Sequence, residues 1–520
     1  MGSRVKYTAY NFVTSIGGIV LTIVMNFIVR TVFVRTLGKA YLGIDGLFSN
    51  ILSMLSLADL GLGTAVIYKL YEPVAKGDKN RICILMNFYK SAYRVIGLVV
   101  ALLGLLLIPF LPYLINDYDS LKSLNLSVPL VFILFLSRSV SSYLFTAYKT
   151  SIIKAHQKEY VINIVTYVFT ILAGVAQIVF LLIIPNFLIY VFISVLQIIL
   201  QNFACAYIAN KEYAYIKEKA PEKLPKSEVK EIIKDCGALF IYSANSYVLK
   251  ATDNIVLSTF IGIEIVGLYS NYYILYLAMN KLMSKLYDSL RHSLGNLHTE
   301  HNLKHEYEVF EAISLITAVI GGVVAIGLTC VSNEFIKVWI GSEWVISQPF
   351  ALLLGLEMYT LAINKQMNRF RTTMGLFQQA KFRPVASMVI NIVLSIILVK
   401  ICGIHGVLIG TIVANWATMI WYDPYIIHKI GFNNEFPVSR YFFKLIKYTL
   451  ISLIIGTIDF LFCYYVFTGY GWFSVIVHSA FCGLTVPAVF VITQINKPEG
   501  KYLISIIKKI LKKGKKAKKA

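Results

Sequence analysis

Apolar runs of about 20 residues recur from one end of this 520-residue sequence to the other. Each is long enough to cross the ~30 Å hydrocarbon core of a bilayer as a helix. That pattern removes most folds. In hydrocarbon every backbone N–H and C=O must be paired within the structure, so an open sheet with its unmet edges is excluded. Composition enters only as a check: 57% of residues are hydrophobic, 15% are charged, and mean hydropathy is +0.69. Soluble domains carry about 25% charged residues. The expected fold is an all-α integral membrane protein.

Fourteen transmembrane helices are expected. Six fall at residues 8–35, 42–68, 88–114, 124–148, 159–184 and 186–210, and six at 236–260, 266–287, 310–332, 346–368, 380–400 and 404–428. The last two, 441–467 and 471–494, stand apart as accessory helices. The first run, Tyr10 to Val34, is too long for a signal-peptide core and lacks a small-residue cleavage site, so it is expected to remain as a helix. Gly2-Ser3 is followed by Lys6 where myristoylation wants Ser or Thr.

Lysine and arginine set the orientation. One set of alternating segments, including both termini, holds 36 of them, from Arg4 and Lys6 to the ten lysines from Lys497 on. The opposite set holds five: Arg35, Lys39, Lys122, Lys337 and Lys400. By the positive-inside rule both termini are cytoplasmic. The net charge of +22 is therefore a membrane-topology signal, and no nucleic-acid-reading module accompanies it.

The longest polar interior connection, 211–235, contains Pro221 and Pro225 and divides twelve spans six and six. It predicts an N-lobe at 1–210 and a C-lobe at 236–430, then the accessory pair at 431–494 and a basic cytoplasmic tail at 495–520. An internal repeat supports pseudo-symmetric lobes. Gly46-Leu-Phe-Ser-Asn50 recurs as Gly267-Leu-Tyr-Ser-Asn271, each copy opening the return helix of a hairpin. Thr36-Leu-Gly38 precedes the first and Thr259-Phe-Ile-Gly262 the second. Repeated halves are the usual plan of a secondary transporter.

Three stretches carry a family resemblance. They are RTLG, YLGIDGLFSNIL, LADLGLGTAV and LYEPVAKGDK within Arg35–Lys79; ATDNIVLSTFIGIEIVGLYSNYY at Ala251–Tyr273; and NEFIKVWIG at Asn333–Gly341. Together they resemble Wzx-type polysaccharide flippases of the MOP exporter superfamily, related to MATE and MurJ proteins, over roughly residues 5–430. The resemblance implies a MATE-like fold of two six-helix lobes. It also implies translocation of polyprenyl-phosphate- or pyrophosphate-linked oligosaccharide across the bacterial cell membrane for cell-surface polysaccharide synthesis. Undecaprenyl pyrophosphate is the carrier such a family implies, and a polysaccharide polymerase and glycosyltransferases are the partners. With two lobes in one chain, a monomer suffices.

Charges inside apolar spans are expensive and mark candidate sites. Arg30 lies about five residues, roughly 7 Å of rise, from the end of its span. It either snorkels to the interface or turns its guanidinium fork to a phosphate. MurJ-type flippases use an Arg in this helix and an Asp in the following hairpin, which points to Arg30 and, more loosely, Asp45 as substrate-binding. Arg138, mid-span in LFLSRSVSSYLF among Ser137, Ser139, Ser141 and Ser142, is too deep to snorkel and is expected to face a cavity. Lys250 and Asp253, three apart in SYVLKATDNIVLS, either pair structurally or form a substrate or cation site. Lys250 joins the substrate-binding candidates, and Asp253 and Glu357 are ion-coupling candidates. Lys90, Arg94 and Lys365 are candidates for a cavity mouth. Asp59, in the LADLGLG turn, reads as a structural capping group, and Asp459 has no role in a two-lobe scheme.

Enzyme chemistry has no foothold: GxxxxGK[ST], HExxH and GxSxG are absent. The seven cysteines are scattered without CxxC and read as apolar packing residues, so neither a metal nor a cofactor is expected. His292, His298, His301 and His305 lack a carboxylate or thiol framework and read as a solvated connection. The tail from Lys501 fits an interfacial helix on anionic lipid. The alternatives are a MurJ-like lipid II flippase and a MATE-like drug/cation antiporter. The antiporter would want an acidic cavity, whereas the intramembrane excess here is cationic. A membrane glycosyltransferase or polymerase would need catalytic carboxylates in a large outer loop, and the loops are short.

Overall fold

The structure is a computed structural model. It describes residues 2–56, 62–116, 118–119, 121, 126–144, 147–218, 222–290, 294–295, 297–298, 300, 302–376, 378–467, 469 and 471–517. Every regular element among them is helical, as the apolar runs require. The chain packs as two compact units, Met1–Gly267 and Leu268–Ala520.

In the first unit α1 (Gly2–Thr36) and α2 (Lys39–Leu55) form a hairpin, followed by α3 (Leu62–Lys76), α4 (Lys79–Leu107), α5 (Val128–Leu144), α6 (Glu159–Ile183), α7 (Phe187–Glu212) and α8 (Lys226–Phe260). The division between units falls within α9 (Ile263–Ser289). The second unit continues with α10 (Leu303–Ile340), α11 (Gln348–Thr373), α12 (Arg383–Cys402), α13 (His405–Asn415), α14 (Val438–Leu461), α15 (Gly471–Gln494) and α16 (Pro498–Ala517). Among the described residues, seven helices are long and apolar enough to cross a membrane, and α5 is a shorter apolar helix.

Helix also occupies the other expected spans, with differences that have physical causes. Expected span 42–68 is two helices, α2 and α3; the turn between them, with Asp59, lies outside the described residues. The polar connection 211–235 is shorter than its charge suggested, because α8 starts at Lys226. Pro225 precedes that start and Glu228 sits in the first turn, where a carboxylate complements the helix dipole. Glu228 pairs with Arg81, and Glu231 with Lys69 at 2.8 Å, which ties α8 to α3 and α4. Span 404–428 runs on from α13 through two π-helical turns, Trp416–Ile420 and Ile427–Gly431.

Packing follows the rule for helices in lipid: without a hydrophobic drive between them, small residues let backbones approach. A Cβ at Gly355 of α11 would collide with Thr329 and Ala325 of α10, and one at Gly406 with the backbone at Leu398. The same device brings the first turns of α2 and α9 together. A Cβ at Gly43 would strike the carbonyl of Ile263, and one at Gly267 the carbonyl of Lys39. Each repeat copy opens after a glycine in a left-handed turn, Gly38 at φ 91° and Gly262 at φ 140°, which only glycine adopts without strain.

Candidate functional site

The hairpin α1–α2 builds one wall of the site. The 17-residue α2 and its C-cap Ser56 place Asp45, Ser49, Ser53 and Ser56 at spacings of four, four and three, so they share one face over about 16 Å of rise. The opposite face of α2, with Leu47, Phe48 and Ile51, is buried, and Phe48 meets Phe132 and Phe135 of α5 edge-on. That packing sets α5 with Arg138, Ser139 and Ser142 toward the polar face of α2. Ser56 Oγ and Ser139 Oγ hydrogen-bond at 2.9 Å. The resulting cavity, about 330 Å³, is lined by Ser49, Ser53, Ser56, Ser139, Ser142 and Arg138 among apolar neighbours.

Of the four serines around Arg138, Ser137 and Ser141 donate to carbonyls of their own helix, Leu134 and Ser137. Ser139 and Ser142 are the pair left on the cavity side. The Arg138 guanidinium lies over the Phe135 ring at 5.8 Å, a stacking geometry suited to a planar cation. The Arg30 guanidinium reaches Asp45 at 4.0 Å, with side-chain exposures of 12% and 23%. Arg138 acts electrostatically on Asp45, and Tyr190 of α7 feels Arg30, Asp45 and Arg138. Two guanidinium groups and one carboxylate therefore share a neighbourhood, with a surplus of one positive charge. Beyond the ion pair, toward the α1–α2 turn, Phe33 packs on Phe187 and Tyr190 at 5.9 and 4.8 Å, and Tyr41 on Phe187.

At the opposite end of α5, Lys90 and Arg94 meet the short turn Ala147–Lys149. Lys149 donates to Asn210 at 2.9 Å. Burial, then Lys90 and Lys217, hold its ammonium below the ordinary lysine pKa. Arg94 acts on Tyr148. Two of the expected mouth residues, Lys90 and Arg94, thus stand with Lys149 and Lys217 in a cluster of like charges.

Among the described residues of the first unit, Asp253 is not in the lining of this cavity. Asp253 is 6% exposed within a buried polar stretch that includes Thr252, Asn254 and Ser258. The side chain of Lys250 lies outside the described residues, as do His292 and His301. Glu357 and Lys365 belong to the second unit. Lys365 donates to Ser284 at 2.6 Å, and Arg369 one turn on pairs with Asp288, so α11 is laced to α9. His298 contacts Glu306 at 3.0 Å and His305 contacts Glu308 at 3.9 Å.

Sequence reasoning missed the serine face of α2, although the 45–49–53–56 spacing was readable. It missed Tyr190 because nothing local marks it. Nor did it foresee that Arg371 and Arg383 are both buried on Asp423. The Arg383 bond is direct, the Arg371 Nε–Asp423 Oδ1 separation is 3.7 Å, and exposures are 0%, 7% and 1% for Arg371, Arg383 and Asp423.

A model of the family described as "Polysaccharide biosynthesis protein" matches residues 9–286, more than half of the chain. The chain belongs to the polysaccharide biosynthesis protein family. Its fold is that of the MOP transporters. A lipid II flippase MurJ in an inward closed conformation is 16% identical, covering 95% of this chain and 100% of that one at TM-score 0.64. An inward-facing multidrug resistance MATE transporter of the MOP superfamily is 14% identical, covering 80% and 96% at TM-score 0.63. A Vibrio cholerae MATE transporter is 12% identical, covering 83% and 100% at TM-score 0.51. No curated protein matches the sequence significantly. These neighbours are a lipid II flippase and multidrug transporters, and this chain shares their multi-pass helical membrane fold.

Proposed function

We propose that the protein is a flippase that moves a polyprenyl-phosphate- or pyrophosphate-linked oligosaccharide from the cytoplasmic to the outer leaflet by alternating access. The observation that carries this reading is the serine-lined cavity with Arg138 in it and the Arg30–Asp45 pair at its neighbour. A guanidinium fork matches phosphate oxygens bidentately, and hydroxyls match sugar hydroxyls. The surplus positive charge favours an anion over the organic cation of a drug antiporter.

In this scheme Lys90, Arg94 and Lys149 draw the phosphate to the cytoplasmic mouth. Arg138 and then Arg30 hold it, with Asp45 releasing Arg30 as the anion arrives, while Lys250 adds a cation from α8. The lobes 1–210 and 236–430 are the alternating halves, both termini are cytoplasmic, and Asp253 or Glu357 carries any coupled ion. The membrane potential, negative inside, helps an anion leave. It contributes about 2.3 kcal/mol per charge per 100 mV, hence about 5 for a doubly charged pyrophosphate. ATP is not needed. The basic tail rests on anionic lipid at the inner surface of the bacterial cell membrane, and a polymerase takes the product on the far side.

The test is flipping of a fluorescent polyprenyl-pyrophosphoryl oligosaccharide in proteoliposomes under an imposed potential. Wild type is expected to move it, and Arg30→Ala and Arg138→Ala to fold and fail. Wild type that ignores this substrate and extrudes organic cations overturns the proposal.

A further inference from the structure

Three of the scattered cysteines meet. Cys330 on α10, Cys463 in the turn that continues α14, and Cys482 on α15 bring their Sγ atoms within 4.8 Å of one another, at 2%, 5% and 1% exposure. Their sequence separations gave no sign of this, because three different helices supply them. Cys463 lies in the π-helical turn Phe462–Val466 that continues α14, a local widening that recurs at functional sites. The surrounding shell is apolar: Leu315, Ala318, Ile326, Tyr448, Ile455 and Val486.

Asp459, one turn before Cys463, is the second observation. It is fully buried in the same shell. Thr485 donates to its Oδ2 at 2.7 Å. Its Oδ1 receives no hydrogen bond from any described N–H or O–H, and the Cys482 thiol is within its reach. A carboxylate in apolar surroundings is costly unless a cation or donor compensates it. Nothing in flippase chemistry uses this group.

We propose that Cys330, Cys463, Cys482 and Asp459 form a binding site for a thiophilic d¹⁰ metal ion of the Zn²⁺ class. Three soft sulfurs exclude Mg²⁺ and Ca²⁺, which take oxygen ligands, and an S₃O set suits tetrahedral Zn²⁺. Zn–S bonds of about 2.3 Å place tetrahedral sulfurs roughly 3.8 Å apart, so the observed cluster needs a contraction of at most about 1 Å. Asp459 lies outside the 4.8 Å sulfur group but within reach of the Cys482 thiol, so a side-chain shift toward the ion brings Oδ1 in as the fourth ligand, while Thr485 holds the other oxygen, as outer-shell partners do. Bound there, the ion fastens α14 and α15 to α10.

The test uses the full-length protein in detergent, stripped by chelator under reducing, anaerobic conditions. It is titrated with Zn²⁺ against a chromophoric chelator, and with Cd²⁺ for the thiolate-to-metal charge-transfer band. One equivalent per chain is expected. Cys463→Ser should weaken binding at least tenfold and shrink the band, Asp459→Asn should weaken it 10–100-fold, and Cys402→Ser, at an exposed cysteine, should change neither. If Cys463→Ser does not elute as a monodisperse species, Cys330→Ala and Cys482→Ala carry the same comparison. Wild type that binds no stoichiometric ion, variants that bind as tightly as wild type, or a disulfide between any two of the three in the isolated protein would each overturn the site.

Discussion

The two units handle charge within the helix bundle in opposite ways. In the first unit, Arg30 pairs with Asp45 at 4.0 Å and Arg138 acts on the same carboxylate from a serine-lined cavity of about 330 Å³. In the second unit, Arg371 and Arg383 also share one carboxylate, Asp423, but all three are sealed into the core at 0–7% exposure. Glu311 is likewise clamped by Arg440 and Lys444 at 2.9 Å each, and Glu499 by Lys444 at 3.0 Å and by the Tyr448 hydroxyl at 2.8 Å. A buried charge with good partners pins helices together. A charge next to polar space is available to a ligand. The same two-to-one ratio of arginine to aspartate thus has different meanings, decided by what lies beside it.

The largest expected effect tests the pinned side. Asp423→Asn leaves two arginines in the core without their carboxylate, and removing one partner of a buried ion pair costs about 3–5 kcal/mol. Thermal unfolding followed by gel filtration should show a large loss of folded protein, with flipping per folded molecule unchanged. A variant that folds normally yet fails to transport would move this triad to the functional side of the comparison.

The repeat supplies the next test. Gly267→Val forces a side chain into the Lys39 carbonyl, and overpacking of this kind costs about 1–3 kcal/mol. Transport should fall along with stability, because the crossing joins the first turns of α2 and α9. Gly17→Val, in a position with open space around it, serves as the control and should alter neither.

How much of this was legible depended on the range of the interaction. The helical membrane fold followed from run length, because backbone satisfaction in lipid leaves few choices. That Arg30 and Arg138 stand as charges in apolar runs was legible, and their cost there is what makes them candidates. The glycine turns at 38 and 262 were visible through the repeated motif. What stayed hidden is long-range. Asp423 meets Arg383 across 40 residues, Cys330 meets Cys463 across more than a hundred, and Tyr190 joins Arg30 from another helix altogether. Periodicity describes one helix at a time and says nothing of its neighbours. The serine face of α2 is the exception, since spacing alone contained it.

On the cavity side, Arg138→Ala should lower flipping at least tenfold, about 1.4 kcal/mol or more of lost substrate interaction, with the melting temperature unchanged. Arg138→Lys keeps the charge and loses the planar fork, so it should recover only part of the rate. Full recovery by lysine would mean that a point charge is enough and that bidentate phosphate contact is not the basis of recognition. A melting temperature that drops with Arg138→Ala would put this arginine with the pinned charges of the second unit.

The smallest effect concerns Lys149, where the two uses of charge meet. Burial, Lys90 and Lys217 depress its folded pKa below the ordinary 10.5. The unfolded chain then holds that proton more tightly than the folded one. Between the folded pKa and 10.5, stability should rise with pH, and below that window the charged lysine carries a constant small cost. Solvent screens much of it, since the group is only partly buried. Lys149→Gln retains a donor for Asn210 and removes the like charge. Its melting temperature at neutral pH should equal or slightly exceed that of wild type, within about 0.5 kcal/mol, and the alkaline rise in stability should disappear. Flipping at low substrate should fall several-fold and recover at high substrate, as expected for a cation that draws in an anion without holding it during translocation. A variant that loses stability while transporting normally would show that Lys149 belongs to the scaffold, and that the cluster of like charges at the mouth is compensated by partners of its own.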